Sequence, residues 1–200
     1  RQWLMRITAF TRYGRGAAST RQRFLQYFPA LAAAGIHVEH RPLLADEYMA
    51  SLVDGRDYGR GRVAADYGRR LAQLATARQS DLYWIYVELL PFVPALVELL
   101  AVAGKPVVYD FDDAFFHAYD QSPNPLVRAT LSGKHAKLLR NAAACCCGND
   151  YLRNFAIRHC RNSIVLPTVV DSDRYRPVPR QAGPLTIGWI GSPTSLRCAS

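Results

Sequence analysis

The chain has 200 residues, of which 50% are hydrophobic and 20% are charged. This composition is typical of a globular protein and excludes a disordered chain or a fibrous repeat. Lysine and arginine number 25 against 16 acidic residues, which gives a net charge of +9 at pH 7. The longest apolar stretch, residues 89–103, contains two prolines and a glutamate and is shorter than the roughly 20 residues of a transmembrane helix.

The cysteines favour a reducing compartment. They stand at positions 145, 146, 147, 160 and 198 and form no CxxC pair. Three consecutive cysteines on a strand point alternately to opposite faces, which suits neither a metal cage nor a disulfide framework. We interpret them as small buried side chains in the cytosol. The first apolar run, residues 3–10, is short and interrupted by Arg6, so no secretory signal is readable.

Predicted strands alternate with predicted helices along the chain. Strands are predicted over residues 3–10, 36–44, 82–87, 106–111, 143–147 and 163–166. Helices are predicted over residues 20–34, 63–78, 94–103, 126–142 with a break near Gly133, and 149–159, while 11–19 and 112–125 are predicted to be irregular. The strands are hydrophobic throughout, which is typical of a parallel sheet covered on both faces. The pattern predicts a doubly wound, Rossmann-like α/β fold.

The end of the chain differs in composition from the rest. Residues 171–184 are rich in proline and charge, which is typical of an interdomain linker. Residues 185–200 contain a strand-like run and a Gly-Ser-Pro-Thr turn. We therefore expect one domain over residues 1–170, the linker, and the truncated start of a second Rossmann-like domain, so that the chain is a fragment of a longer protein.

The loop after the first strand contains groups that bind anions. These groups are Gly14, Gly16, Ser19, Arg15 and Arg21, and residues 1–30 hold six arginines and no acid. Backbone N–H groups at a helix start, hydroxyls and guanidinium groups favour phosphate. A solvated basic turn is the alternative, because the pattern is neither a Walker loop nor a complete GxGxxG.

Acidic side chains follow two of the predicted strands. Asp110, Asp112 and Asp113 crowd the end of the 106–111 strand, and Glu88 follows the 82–87 strand. Ligands of doubly wound sheets bind at such strand exits. The aspartates are candidates for a general base or hydroxyl-orienting group, for metal ligands, or for helix caps. Glu88 is a candidate hydroxyl ligand or a charge at a helix N-terminus.

Other polar residues lie near these exits. His117 and Tyr119 are candidates for substrate contact, and Asn149 and Asp150 open a helix, where capping alone would account for them. Lys134, Lys137 and Arg140 share one helix face, which predicts contact with anionic lipid or a phosphorylated substrate, or merely a solvated face.

Several segments, taken together, resemble the N-terminal half of a family 4, retaining GT-B glycosyltransferase. The segments that carry the resemblance, over residues 3–194, are the glycine-bearing first loop, RFLQYFPALAAAGIHV, LYWIYVELLP, PVVYDFDDA, GNDYL, IVLPTVVD and TIGWIGSPT. GNDYL, PTVVD and IGWIGSP are fairly specific in combination, although each is weak alone.

The resemblance implies a two-domain enzyme that uses a nucleotide-sugar as co-substrate and no metal. The N-terminal domain would bind an acceptor, which is a glycan, a lipid-linked glycan or a small molecule, and catalysis would occur in the cleft between the domains. The loop from Gly14 to Ser19 would lie near the donor phosphates, which Gly191, Ser192 and Thr194 would face from the second domain. The paired glutamates of the family's donor site are expected beyond Ser200, so this chain alone is not expected to turn over.

The expected acceptor and catalytic residues combine this resemblance with the strand-exit argument. We expect acceptor contacts from Arg15, His117, Tyr119, Asn149 and Asp150. In relatives a catalytic-region histidine often stands where Asp112 stands here. We therefore infer the carboxylate role of Asp112 from this sequence and not from the family. Asp110, Asp113 and Glu88 are further candidates for this role. Peripheral contact with the inner face of the membrane is a further expectation.

Three other functions compete with this hypothesis. A haloacid-dehalogenase-like phosphatase would use Asp110 as nucleophile and Asp112 as acid, although that motif usually lies on the first strand. The charge of +9 permits a nucleic-acid-binding domain. However, the aromatic residues follow apolar stripes and no reader motif is present, so we expect no nucleic-acid partner. A noncatalytic glycan-binding domain is the third alternative.

Overall fold

The structure is a computed structural model that describes residues 4–173, 175–176 and 183–184. In this part of the chain, six strands alternate with nine α-helices. The strands are β1 Met5–Tyr13, β2 Ile36–Leu44, β3 Leu82–Tyr86, β4 Val107–Phe111, β5 Ala144–Cys147 and β6 Ser163–Val165. The helices are α1 Ala18–Arg23, α2 Phe28–Ala33, α3 Asp46–Val53, α4 Arg60–Thr76, α5 Ala95–Ala101, α6 His117–Asp120, α7 Pro125–Leu131, α8 Lys134–Arg140 and α9 Asp150–Ala156.

The strands form one sheet in the order β2-β1-β3-β4-β5-β6, and every neighbouring pair is parallel. Helices flank the sheet, which confirms the predicted Rossmann-like doubly wound fold. The order reverses at β1, since β2 lies on one side of it and β3 on the other. This reversal opens a crevice at the carboxyl ends of β1 and β3, where ligands of such folds bind.

Both faces of the sheet carry helices. Ala9 is in register with Trp84, so Phe10 and Trp84 point to opposite faces. Arg70 of α4 lies over the Phe10 ring, 4.8 Å from its centroid. On the other face, Phe24 packs against Trp84 with ring centroids 4.3 Å apart. The hydrophobic core therefore has two layers, one on each side of the sheet.

The helix predicted over residues 20–34 is divided in two. Phe24 leaves helical geometry with φ −125° and ψ −70°, and a 3₁₀ turn, Leu25–Tyr27, separates α1 from α2. Pro29 lies in the first turn of α2, where its missing N–H costs nothing. Gly35, with φ +79°, ends this region where the sequence predicted a helix stop.

The remaining differences from the predicted elements are local. β1 continues through Tyr13, beyond the predicted end at Phe10, because its pairing with β2 extends to Leu44. The α3 segment was not assigned from the sequence, and α6 lies within the stretch predicted to be irregular. The break near Gly133 is confirmed by the separation of α7 from α8. The predicted start of a second domain, residues 185–200, lies outside the described residues.

The cysteines of β5 alternate as predicted. Cys145 and Cys147 are fully buried on one face, while Cys146 is half-buried on the other. Cys145, Cys146, Cys147 and Cys160 are free thiols. None of the described helices is both long and apolar enough to cross a membrane.

Candidate functional site

Three polar side chains lie at neighbouring strand exits beside the point where the strand order reverses. The Tyr86 hydroxyl, at the end of β3, donates to Oδ1 of Asp112 just beyond β4, with an oxygen–oxygen distance of 2.6 Å. Burial raises the pKa of the Tyr86 hydroxyl, and Ser19, in α1, acts on that pKa in the opposite direction. These three residues, which we call the Ser19–Tyr86–Asp112 chain, lie at the edge of the sheet where a ligand is expected.

Asp112 is the accessible carboxylate of this chain. Its residue is half-buried, and burial raises the pKa of its carboxyl group although the Tyr86 hydrogen bond and nearby Arg23 act in the opposite direction. A Cβ on Gly148 would lie only 3.2 Å from the Asp112 Cα, so the β5 exit packs closely against the backbone of Asp112. The close approach fixes the backbone from which this carboxylate projects.

Asp110 lies behind the chain and is fully buried. Its Oδ1 accepts a hydrogen bond from Nε of Arg23 at 2.7 Å, and its Oδ2 lies 3.4 Å from Nε1 of Trp84. Burial raises the pKa of Asp110 to about 6, although Arg23 lowers it in part. Since the Asp110 side chain has 0% exposure, it supports the site from inside and offers no oxygen to a ligand.

Asp113, the third predicted carboxylate, caps the backbone. Its Oδ1 accepts from the N–H of Ala114 at 2.7 Å, and the residue is exposed. The crowded aspartates thus occupy three different environments. Within the described residues, no group of three or more histidine, cysteine or acidic side chains is arranged to hold a metal ion.

The glycine loop after β1 is organised by Asp46, a residue of α3. Oδ1 of Asp46 accepts from the N–H of Gly16 at 2.7 Å. A Cβ at Gly14 would lie 2.3 Å from the same oxygen, so only glycine permits this approach. Arg21 folds over the loop and donates to the carbonyl oxygens of Arg15 and Gly16, at 3.1 and 2.6 Å. The Gly16 N–H, predicted to bind phosphate, therefore already has an anionic partner.

Arg15 and Arg21 nevertheless border an open cavity. The cavity has a volume of about 430 Å³ and is lined by residues between Arg15 and Pro29 and, after β6, by Asp171 and Tyr175. Both arginines are exposed. Guanidinium groups at the rim of such a cavity can pair with an anionic ligand in bidentate geometry.

Glu88 lies in a buried ionic network and not at the surface of the site. Its carboxylate pairs with Arg12 and Lys134, each at 2.6 Å, and accepts from the Tyr119 hydroxyl at 3.0 and 2.9 Å. Although burial alone raises the pKa of Glu88, the positive charges of Lys134 and Arg12 lower it overall. The side chain is 1% exposed, so the predicted hydroxyl ligand is a structural anion.

A strained turn directs Glu88 into this network. Val87 has φ +62°, a conformation that β-branched residues rarely adopt, and the N–H of Glu88 donates to the carbonyl of Tyr86 at 2.7 Å. A three-residue turn of this kind costs about 1–3 kcal/mol. The strain lies at the exit of β3, next to the Ser19–Tyr86–Asp112 chain.

The predicted acceptor residues separate into four groups, one of which is Arg15 at the 430 Å³ cavity. Tyr119 is buried with Glu88, where its ring stacks on His135. Asn149 caps α9 by accepting from the N–H of Leu152 at 3.0 Å, and Asp150 is exposed in the first turn. Capping, the alternative interpretation of the Asn149 position, is what the structure shows.

His117 belongs to a second hydrogen-bonded chain. Its Nδ1 lies 2.9 Å from Asp120 Oδ1 and its Nε2 lies 2.7 Å from the Tyr151 hydroxyl. With Phe116 and Arg158, these residues line a cavity of about 460 Å³. An aromatic wall beside polar side chains is a surface that can hold a sugar or a similar polyol.

The partners that determine the role of each predicted site residue were not identified from the sequence. Tyr86 and Tyr151 lie in segments that carry the family resemblance but were not singled out as site residues, and Asp46 lies 30 residues from Gly16 along the chain. The strand-exit rule was the usable signal for Tyr86, since it is the last residue of β3. The remaining predicted donor residues, Gly191, Ser192 and Thr194, lie outside the described residues.

Comparison with known proteins adds no relationship. No protein-family model matches the chain, and no curated protein matches it in sequence. The fold and the geometry of the strand exits are therefore the basis for inferring a function.

Proposed function

We propose that the chain is the acceptor-binding, Rossmann-like domain of a GT-B glycosyltransferase related to family 4. The full-length enzyme would transfer a sugar from a nucleotide-sugar to an acceptor hydroxyl with retention of configuration. The observation that carries the proposal is the Tyr86–Asp112 hydrogen bond beside the point where the strand order reverses. It supplies one accessible carboxylate, held by a buried phenol, where an acceptor hydroxyl would enter.

Sugar transfer places two demands on such a site. The acceptor hydroxyl must be positioned, and the departing diphosphate must be stabilised. Asp112 meets the first demand, because Tyr86 occupies one of its oxygens and leaves the other to accept a hydrogen bond from the acceptor hydroxyl. Arg15 and Arg21, at the rim of the 430 Å³ cavity, are suited to the second.

The same geometry argues against the phosphatase alternative. That mechanism needs Asp110 as an accessible nucleophile, but Asp110 is fully buried and bonded to Arg23. The nucleic-acid alternative has fewer arginines available for phosphate contacts, because Arg12 and Arg23 form internal ion pairs. Neither alternative is favoured by a specific contact in the described residues.

Nucleotide release by the full-length protein tests the proposal. Incubation with UDP- or GDP-sugars should release nucleoside diphosphate, and Asp112→Asn should lower kcat by about 100-fold or more, the usual effect of removing a positioned acid–base group. Asp113→Asn is the matched control, because Asp113 caps Ala114 and is not part of the site. It should retain turnover within about threefold, since no substrate-facing bond is removed.

The outcomes separate the general proposal from the residue assignment. Turnover of a nucleotide-sugar that is unaffected by Asp112→Asn would show that another group positions the acceptor. Failure of every UDP- and GDP-sugar to react would overturn the glycosyltransferase proposal itself.

A further inference from the structure

One surface of the domain combines exposed apolar side chains with exposed basic ones. It is formed by α5, the residues before it, and α8, and we call it the α5–α8 surface. Its apolar members are Phe92, Leu96, Val97 and Leu100, and its basic members are Lys137 and Arg140. Leu96, Lys137 and Arg140 line the same groove, which has a volume of about 380 Å³.

The apolar side chains on this surface are exposed to an unusual degree. Phe92, Leu96 and Leu100 are 66%, 66% and 69% exposed. Leu96 and Leu100 lie one turn apart on α5 and therefore share a helix face. Exposed apolar groups that lie on one face of a protein mark an interaction site, whereas isolated exposed residues do not.

The backbone holds Phe92 in a specific, strained conformation. Its φ is +59°, and its N–H donates to the Tyr119 hydroxyl at 2.8 Å. Tyr119 is itself bonded to the buried carboxylate of Glu88. The Phe92 ring packs edge-to-face on the Tyr119 ring, with centroids 5.5 Å apart, and most of it remains exposed, so an anchored turn presents it to solvent.

The exposed charged side chains of the α5–α8 surface are positive. Across α5, α7 and α8 the only acidic residue is Glu98, and it is fully buried against Lys134. Lys134 is likewise buried, so the exposed part of the predicted basic stripe consists of Lys137 and Arg140. The surface offers cations beside apolar groups and no exposed carboxylate from these three helices.

We propose that the α5–α8 surface docks the protein on an anionic lipid bilayer. Phe92, Leu96 and Leu100 would enter the boundary between headgroups and acyl chains, while Lys137 and Arg140 would contact the lipid phosphates. Charge complementarity selects this partner. A second copy of the chain is a poorer occupant, because a twofold contact on this surface brings like charges together.

Cosedimentation of the full chain with vesicles tests the proposal. One vesicle type contains phosphatidylcholine and phosphatidylglycerol in a 2:1 ratio, and the other contains phosphatidylcholine alone. The protein should bind the anionic vesicles and remain in solution with the neutral ones. Lys137→Gln with Arg140→Gln should weaken binding roughly 30-fold, and Leu96→Ser with Leu100→Ser should abolish it at the same lipid concentration.

Matched variants elsewhere distinguish docking from general effects. Leu71→Ser replaces a leucine of α4 that is 56% exposed, and Arg60→Gln with Arg62→Gln removes two exposed cations of the same helix. Both should bind like the unaltered protein, and circular dichroism should show that all variants remain folded.

Three results would overturn the proposal. They are no binding to the anionic vesicles, equal loss of binding in the α4 controls, and a concentration-dependent dimer in sedimentation equilibrium that disappears in the Leu96→Ser and Leu100→Ser variant. The last result would identify a second copy as the occupant. The proposal does not depend on the glycosyltransferase proposal, since none of its residues belongs to the Ser19–Tyr86–Asp112 chain.

Discussion

Arg23 and Asp110 form an ion pair from which water is excluded. Nε and Oδ1 lie 2.7 Å apart, and the two side chains are 1% and 0% exposed. The guanidinium also donates to the carbonyl of Leu166, so one side chain connects α1 to the exits of β4 and β6. This pair supports the site from within the sheet, directly behind Asp112.

Breaking the Arg23–Asp110 pair should be costly. Arg23→Met leaves the Asp110 carboxylate buried without its cation, which typically costs about 3–5 kcal/mol of unfolding free energy. Urea denaturation at pH 7 measures this loss. Arg56→Met, in the exposed pair with Asp54, is the control and should change stability by less than about 1 kcal/mol. Equal losses in the two variants would contradict the assignment.

His135 should make the fold sensitive to acid. Burial lowers its pKa from 6.5 to about 4, although Glu88, 3.9 Å away, opposes the shift. Because the unfolded chain binds the proton more readily, stability due to His135 is present above pH 6.5 and is lost as the pH falls toward 4. The unfolding free energy of the unaltered protein minus that of His135→Phe should rise by about 3 kcal/mol across this window.

Asp110 should show the opposite dependence on pH. Its pKa rises from 3.8 to about 6 on folding, so the folded state binds the proton more readily and stability falls as the pH rises between these values. The unfolding free energy of the unaltered protein minus that of Asp110→Asn should fall by about 3 kcal/mol between pH 4 and 6. Urea titrations at half-unit pH intervals measure both slopes, and slopes of the same sign would refute the two assignments.

Lys134 and Lys137 lie one turn apart on α8 and should respond differently to the same substitution. Lys134 bridges Glu88 and Glu98 at 2.6 and 2.7 Å with no exposure, whereas Lys137 is exposed. Lys134→Met strands two buried carboxylates and should cost about 3–5 kcal/mol or prevent folding. Lys137→Met should stay within about 0.5 kcal/mol of the unaltered protein, as measured by thermal and urea unfolding.

Gly14 and Gly68 should give opposite results when replaced by alanine. A Cβ at Gly14 would meet Asp46 at 2.3 Å, so Gly14→Ala should destabilise the protein by about 1–3 kcal/mol. Gly68 lies within α4 with no atom within 4 Å of its Cβ position, so Gly68→Ala should stabilise by about 0.5–1 kcal/mol. Adding Asp46→Ala to Gly14→Ala should recover part of the lost unfolding free energy. If the double variant recovers none of it, the strain does not arise from the contact with Asp46.

Much of the fold could be predicted because its determinants are local. Continuous apolar runs predicted the strands, and β2 was predicted with its observed limits, Ile36–Leu44. The prediction of one continuous helix over residues 20–34 was wrong. Apolar spacing does not reveal that Phe24 leaves helical geometry to pack on Trp84. The strand-exit rule identified the correct edge of the sheet but not the state of each side chain there.

The sequence by itself determined the order of the six strands, the parallel sheet and the positions of Glu88, Asp110, Asp112 and Asp113 relative to a strand end, because each depends on residues close together in the chain. Only the tertiary structure decided which carboxylates are available. Arg12 reaches Glu88 across 76 residues and Arg23 reaches Asp110 across 87, and these contacts bury both acids. Asp112 meets Tyr86 instead and remains accessible. Whether a carboxylate braces the fold or faces a ligand depends on distant partners and on the exclusion of water, which local patterns do not encode.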